Sequence, residues 1–515
     1  MMCAPIQERL PAFDLSLSVR GRHRATAAGT MFGLLLLGGC AVGPDYVVPA
    51  AHGLPMRWHH ATGEPSVATT ALGEWWRDLR DPLLDQLMTR AVDGNLDVAA
   101  AKAKIRAARA LRREATGALQ PTLDGTASAK REQATATSTP SGSRVSSQFQ
   151  AGFDASWELD LFGANARSVE AATANVAATE ADLDATLLTL VGDVASYYVE
   201  ARGYQARISL ARRTAKSQRE TAALTRTKFD AGSASAVDSS KADAQAATTE
   251  ADIPSLEASL AQAIHRLSIL TGREPGALTG EMSRAGRIPA PRQPLPKGVP
   301  AAVLANRPDV RAAERRLVQY TAKVGAAEAA LYPSVTLSGS ISTSATRIGD
   351  LGKASTIAWS WGPSISVPIF EGGKLTAARD EAAAVRDQYL VAWRSSVLTA
   401  LEDVENALVS LSKEQTRAHS LSEAADQYRR AATLSRALYQ NGSSSFLDVL
   451  DAERSLYSAE DSLIQSRVAI TTDHIALAKA LGGGWTRPVD SSQPEMVDTA
   501  TGPHPRAPAS VSATP

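Results

Sequence analysis

"SQFQAGFDASWELDLFG", residues 147–163, alternates almost without a fault. Phe149, Ala151, Phe153, Ala155, Trp157 and Leu159 fall on one parity; Gln148, Gln150, Gly152, Asp154, Ser156, Glu158 and Asp160 fall on the other. Successive side chains of a β-strand point to opposite faces, so this strand has one aromatic, apolar face and one polar face. Most of the surrounding chain reads as Ala-rich helix. The two faces call for two different solvents.

The stretch belongs to a unit written twice. "LQPTLDGTASA" from 119 matches "LYPSVTLSGSISTS" from 331, and "WELDLFG" ending at 163 matches "ISVPIFEGG" ending at 373. "VGDVASYYVE" from 191 matches "LEDVENALVS" from 401, and "KFDAGSASAVD" from 228 matches "LYQNGSSSFLD" from 438. The offset stays at about 210 residues, the mark of an internal duplication. Each copy reads helix, two strands, long helix, tip turn, shorter helix. Copy one spans 82–287 and copy two 301–486, joined by the Pro-rich linker "IPAPRQPLPKGVP", 288–300, which cannot continue a helix.

Copy two repeats the two-faced strands. Val335, Leu337 and Ile341 oppose Thr336, Ser338, Ser340 and Ser342; Ile357, Trp359, Trp361, Ile365, Val367 and Ile369 oppose Ala358, Ser360, Ser364 and Ser366. Four strands of roughly 10–14 residues have the length that crosses a bilayer at a tilt. Phe149, Phe153, Trp157, Trp359 and Trp361 then face lipid or its interface, and the polar parity faces a wet lumen. Four strands cannot close a barrel, and open edges in hydrocarbon leave unpaired backbone groups, so closure comes from oligomerisation. Two chains give about the strand number whose interior fills with side chains; three give one wide enough to conduct.

Segments at about 164–228 and 374–440 contain no helix breaker. At ~1.5 Å per residue each is on the order of 100 Å long. Leu183, Leu187, Leu190, Val194 and Tyr197 step 4, 3, 4, 3, as do Val397, Leu401, Val404, Leu408 and Leu411, which is coiled-coil spacing. Each long helix runs into a glycine-bearing turn, Gly232 or Gly442, where a left-handed residue closes the helix and serines cap the next.

Basic and acidic residues balance at 54 each, which argues against a basic nucleic-acid binder. No apolar run is long enough for a transmembrane helix. Arg20, Arg22 and Arg24 precede the apolar run 25–39, a signal peptide spanning 1–39. "LLGGC" resembles a bacterial lipobox, making Cys40 the lipidated residue that opens an N-terminal segment over 40–81. Ala41, rather than Asp, follows it, which by resemblance to bacterial lipoproteins points to the outer membrane. Residues 487–515 are rich in Pro, Ser and Thr and read as a disordered tail. There is no P-loop, no dinucleotide-binding glycine pattern, no HExxH and no G-x-S-x-G elbow, so no enzyme, metal site or cofactor is expected.

"CAVGPDYVVPA" (40–50), "WWRDLRDPLLDQLMTRAVDGNLDVAAAKAKIRAARA" (75–110), "LANRPDVRAAERRL" (304–317) and "LDVLDAERSLYSAEDSLIQSRVAI" with "ALAKALGGGW" (447–485) together resemble TolC-like outer-membrane efflux proteins of the lipoprotein, NodT-type branch. The resemblance implies a homotrimer, a 12-stranded outer-membrane barrel and a duplicated coiled-coil α-barrel across the periplasm. It also implies a periplasmic adaptor that contacts the tip turns and an inner-membrane RND-type pump. Asp448 and Asp451 match the family's acidic ring at the periplasmic gate. Asp238 and Tyr439 match positions that tie neighbouring helices closed. Ser444 stands where some relatives carry a charge. The same duct serves drug, metal and type I protein export, and a non-conducting coiled-coil scaffold is the other function class.

Overall fold

The computed structural model describes residues 41–49, 57–60, 72–134, 144–292, 295, 300–484, 486–494 and 496–505. The signal segment and Cys40 lie outside the described residues. The rest falls into two compact units, one built from 41–42, 119–166 and 328–371, the other from 43–118, 167–327 and 372–505.

The first unit is a four-stranded sheet. β1 (Thr122–Ala134) and β2 (Arg144–Leu159) form one hairpin; β3 (Ser334–Ala345) and β4 (Ile357–Ser366) form the other. All neighbours are antiparallel, in the order β1-β2-β3-β4, so each copy contributes one hairpin and β2–β3 joins them. Directly paired residues share a face, and the register keeps the alternation in phase across all four strands. One row runs Gly125–Phe153–Ile341–Trp359, and the next runs Asp124–Asp154–Ser340–Ser360. The apolar face finds no cover in this unit: Phe153 is 58% exposed, Trp359 71% and Trp361 74%. The sheet ends at β1 on one side and β4 on the other, with nothing paired to either outer edge among the described residues.

The second unit is helical. α1 (Pro82–Gly94) and α2 (Leu96–Gly117) precede the first hairpin in sequence. α3 (Ala164–Asp230) and α4 (Ala236–Leu270) follow it, then the short α5 (Thr279–Met282). Copy two supplies α6 (Pro300–Asn306), α7 (Pro308–Ala329), α8 (Lys374–Gln440) and α9 (Phe446–Ala480). The long helices are 67 residues each and the shorter ones 35 each, so the duplication survives at the level of whole helices. No helix among the described residues is long and apolar enough to cross a membrane.

Each helix read as continuous ahead of a hairpin is broken in two. Asn95 takes an extended conformation and its Oδ1 accepts from the Asp97 and Val98 amides at 2.8 and 3.1 Å, capping α2. Its side-chain amide donates to the Leu270 carbonyl at 3.1 Å, so the break is anchored on α4. The second break falls at Arg307, which precedes Pro308 and is therefore biased away from the α region. The tail also departs from expectation. β5 (Met496–Thr499) and β6 (Gly502–Pro505) form a small hairpin, closed where Gly502 takes φ +107°.

The leucine seam lies in the main helical core. Leu183, Leu187, Leu190, Val194, Val404 and Leu408 are buried there with Trp75, Trp76, Leu84, Leu87, Met88 and Tyr198. The seam is wider than a coiled-coil stripe, because Val191, Ala195 and Val199 are buried too. Tyr198 donates to Asp81 Oδ2 at 2.6 Å and accepts from Arg202 at 2.8 Å; burial and the Asp81 contact lift its hydroxyl pKa well above the ordinary range against a downward pull from Arg202.

Candidate functional site

The two glycine turns are built alike. Gly232 (φ +76°) and Gly442 (φ +77°) close α3 and α8. The Gly232 amide donates to Phe229 O at 2.8 Å and the Ser233 amide to Lys228 O at 2.8 Å; Gly442 donates to Tyr439 O and Ser443 to Leu438 O at 3.1 and 2.8 Å. This is the paired bonding of a Schellman ending, which needs the left-handed residue that glycine supplies. Three residues later a serine opens the next helix with a reciprocal capping box, Ser235 with Asp238 and Ser445 with Asp448.

Those boxes decide what two of the expected gate residues do in this structure. Asp238 Oδ2 accepts from the Ser235 hydroxyl at 2.7 Å and its amide at 3.2 Å. Asp448 Oδ2 accepts from the Ser444 and Ser445 hydroxyls, each at 2.8 Å, and from the Ser445 amide at 3.1 Å. The Ser444 hydroxyl is the largest of the causes holding the Asp448 carboxyl below the usual carboxylate range, followed by Ser445. Ser444 is thus an active partner of the acidic position. Asp451 lies one turn on, exposed on α9.

Tyr439 does not meet Asp238. Its ring is buried on α8, edge-on to Phe446 at 6.0 Å, and its hydroxyl donates to Thr225 Oγ1 of α3 at 3.2 Å. Lys228 Nζ lies 4.4 Å from the ring centroid and donates to the Tyr439 carbonyl, placing a cation at the α8 C-terminus. Beside the turns, Tyr439 therefore ties the two copies through Thr225 and Lys228.

Two residues that the sequence reading passed over sit next to this tie. Glu453 of α9 is only 6% exposed and accepts from Arg436 of α8 at 2.6 Å and from the Thr221 hydroxyl of α3 at 3.0 Å. Arg436 also donates to Ser217 Oγ of α3 at 2.6 Å. The signal was present: Glu453 shares the i, i+3, i+7 face of Phe446 and Val449, so a carboxylate stands on an apolar stripe. Farther along, Arg219–Glu250 and Arg429–Glu460 join the long helix to the short one in each copy, both at 2.6 Å. These are exposed and add little stability apiece.

The expected membrane-facing aromatics all occupy one face of the sheet. Phe149 pairs Ala345, Phe153 pairs Ile341, Trp157 pairs Leu337, and Trp359 and Trp361 pair Ile341 and Gly339. The Trp157 indole donates to the Leu119 carbonyl at 3.0 Å, while its ring stays on the apolar face. Among the described residues no group of His, Cys, Asp or Glu is placed to hold a metal ion.

The family described as Outer membrane efflux protein matches residues 87–273 and 299–483, one segment in each copy. Nodulation protein T of Rhizobium leguminosarum bv. trifolii is 36% identical over 470 residues, covering 90% of this chain and 98% of that protein. The solvent efflux pump outer membrane protein SrpC of Pseudomonas putida is 34% identical, over 88% of this chain and 98% of its own. Among solved structures, the outer-membrane channel OprN superposes with a TM-score of 0.81 at 37% identity, covering 87% of this chain and all of that one.

Proposed function

Because this chain belongs to the Outer membrane efflux protein family, we propose that it is the outer-membrane exit duct of a tripartite efflux system. It passes small molecules delivered by an RND-type inner-membrane pump through a periplasmic adaptor, and it uses no cofactor of its own. The observation that carries the reading is the sheet: one apolar face held in register over four strands, with both edges open. Lipid on one side and water on the other explain the faces. Three copies closing β4 onto the next β1 explain the edges, since that joint repeats the β2–β3 joint already made between hairpins. Helices with polar outer faces then line a tunnel on the periplasmic side, and the turns at Gly232 and Gly442 meet the adaptor. Cys40 carries lipid that anchors the N-terminal segment to the same membrane.

The test is a planar-bilayer recording of the purified protein together with its mass in detergent. Stable current steps from a trimer are expected; a folded species that is only monomeric or dimeric, or a trimer that carries no current, overturns the proposal. Cys40→Ser should abolish labelling with palmitate and leave the barrel assembled.

The tip is the gate. Three copies of Asp448 and Asp451 concentrate negative potential where the duct narrows, which favours cations. Asp448→Asn with Asp451→Asn should lower cation selectivity and weaken block by trivalent cations. Selectivity unchanged in reversal-potential measurements would move the acidic constriction elsewhere.

A further inference from the structure

We propose that Arg131 of β1 and Arg347, just past β3, form a cationic rim that holds the phosphate head of an anionic lipid at the loop end of the sheet. The proposal rests on the apolar face of the sheet meeting lipid.

The observation that carries it is a single charge on that face. Among the paired residues of β1–β4, every one on the apolar parity is uncharged except Arg131. The other charges of the strands, such as Asp124, Lys130, Asp154 and Glu158, fall on the polar parity. Arg131 pairs with Ser147 of β2. The last pair between β2 and β3 is Phe149 with Ala345, and two residues on the same register sets Ser147 opposite Arg347, where the backbone is still extended at φ −130° and ψ 137°. The row reads Arg131–Ser147–Arg347, with its two arginines about 10 Å apart across one strand. Both are exposed, and neither has a hydrogen-bond or ion-pair partner among the described residues. The neighbouring lysines differ: Lys130 pairs with Glu132 and Lys353 with Asp350.

The height of the row decides what those cations meet. From Phe149 to Leu159, β2 advances about 33 Å along its axis, which at a tilt of about 35–45° is roughly 25 Å of height. That is the height of the apolar band of a membrane barrel, and the Arg131 row stands one step outside it, at the level of the headgroups. An arginine there costs little, whereas one at the bilayer midplane is expensive. A guanidinium fork binds two phosphate oxygens at once, and two forks on one row are close enough to share a headgroup. Ile348, 70% exposed and next to Arg347, adds an apolar side chain at the same boundary. The opposite rim, with Trp157, Leu159, Val335 and Ile365, has no charge on this face. A cationic row at one end alone fits a bilayer whose two leaflets differ in phosphate.

The experiment titrates the full-length protein in detergent micelles with lipid A, with dephosphorylated lipid A and with inorganic phosphate, comparing the parent with Arg131→Gln/Arg347→Gln. Lipid A should bind the parent about tenfold more tightly than the double variant, and the dephosphorylated form should bind both alike, because the charge-assisted bonds go with either partner. Lys130→Gln, one residue along on the polar parity, should bind lipid A as the parent does. Equal affinity of parent and double variant for lipid A overturns the rim, and so does an equal loss in Lys130→Gln. Inorganic phosphate that displaces lipid A at matching concentrations overturns a lipid as the occupant. Mass and planar-bilayer current from the same preparations separate the rim from the duct. Equal affinities in a trimer that conducts overturn the rim alone; the affinity difference without any current keeps the rim and overturns the duct.

Discussion

Ile341→Arg is expected to abolish insertion of the protein into the outer membrane, while Ser340→Arg, one residue away, is expected to leave it assembled. Ile341 lies mid-strand between Phe153 and Trp359 on the apolar face; Ser340 lies between Asp154 and Ser360 on the polar one. An arginine on the lipid face near the bilayer midplane costs about 2–4 kcal/mol per copy. In the proposed trimer that cost falls once on each chain and comes to about three times as much, comparable with the whole stability of a typical domain. On the polar face, the lumen side of the proposed barrel, the same charge would stay in water beside the carboxylate of Asp154. The measurement is membrane fractionation together with the mass of the detergent-extracted species. Both variants inserting equally well would sink the assignment of faces, and so would both failing alike.

The helical unit should lose stability between about pH 6.5 and pH 4 through a single buried histidine. His474 of α9 is 2% exposed, lies edge-on to Trp75 at 6.5 Å, and its Nε2 has no hydrogen-bond partner among the described residues. The Trp75 indole nitrogen is likewise buried and unpaired. Burial pushes the imidazole pKa down to about 4, against a weaker upward pull from Asp78. The native state therefore holds this ring neutral. Above the unfolded value of about 6.5 neither state binds the proton and the stability is fully present. As the pH falls, the unfolded chain takes up a proton that the folded chain refuses, so stability drops by up to about 3 kcal/mol by pH 4. His474→Phe keeps the bulk and removes the titration. Thermal unfolding followed at pH 7 and pH 4.5 should show a smaller acid-induced fall in midpoint for the variant. Identical falls would mean that the carboxylates alone set the acid sensitivity.

The resemblance to TolC-like efflux proteins that these residues carry holds at the level of family, over segments in both copies. Two local physical signals made much of the fold legible beforehand. Period-two alternation placed the strands and sorted their faces, and the glycines ending each long helix located the turns. Local signals for the helix breaks are also present, in Asn95 after Gly94 and in Pro308, and a continuous helix drawn through either residue misses them. Composition, which alone speaks for the tail, is blind to a four-residue strand finding a partner.

What the chain settles by itself is whatever depends on near neighbours: the parity of Phe149, Phe153 and Trp157, the length of the helices, the left-handed residues at Gly232 and Gly442, and the serines that cap after them. Those preferences act within a few residues and do not require knowing what lies opposite. Only the tertiary structure decided which duplicated side chains become buried. Arg226 with Asp243 and Arg436 with Glu453 are alike in type and spacing, yet one set is exposed and the other is turned against Ser217 and Thr221. Tyr439 likewise meets Thr225 and Lys228, while Asp238 is taken up by its own capping box. Burial of a charge depends on the desolvation and the partners that a second element supplies, and no local pattern carries that information.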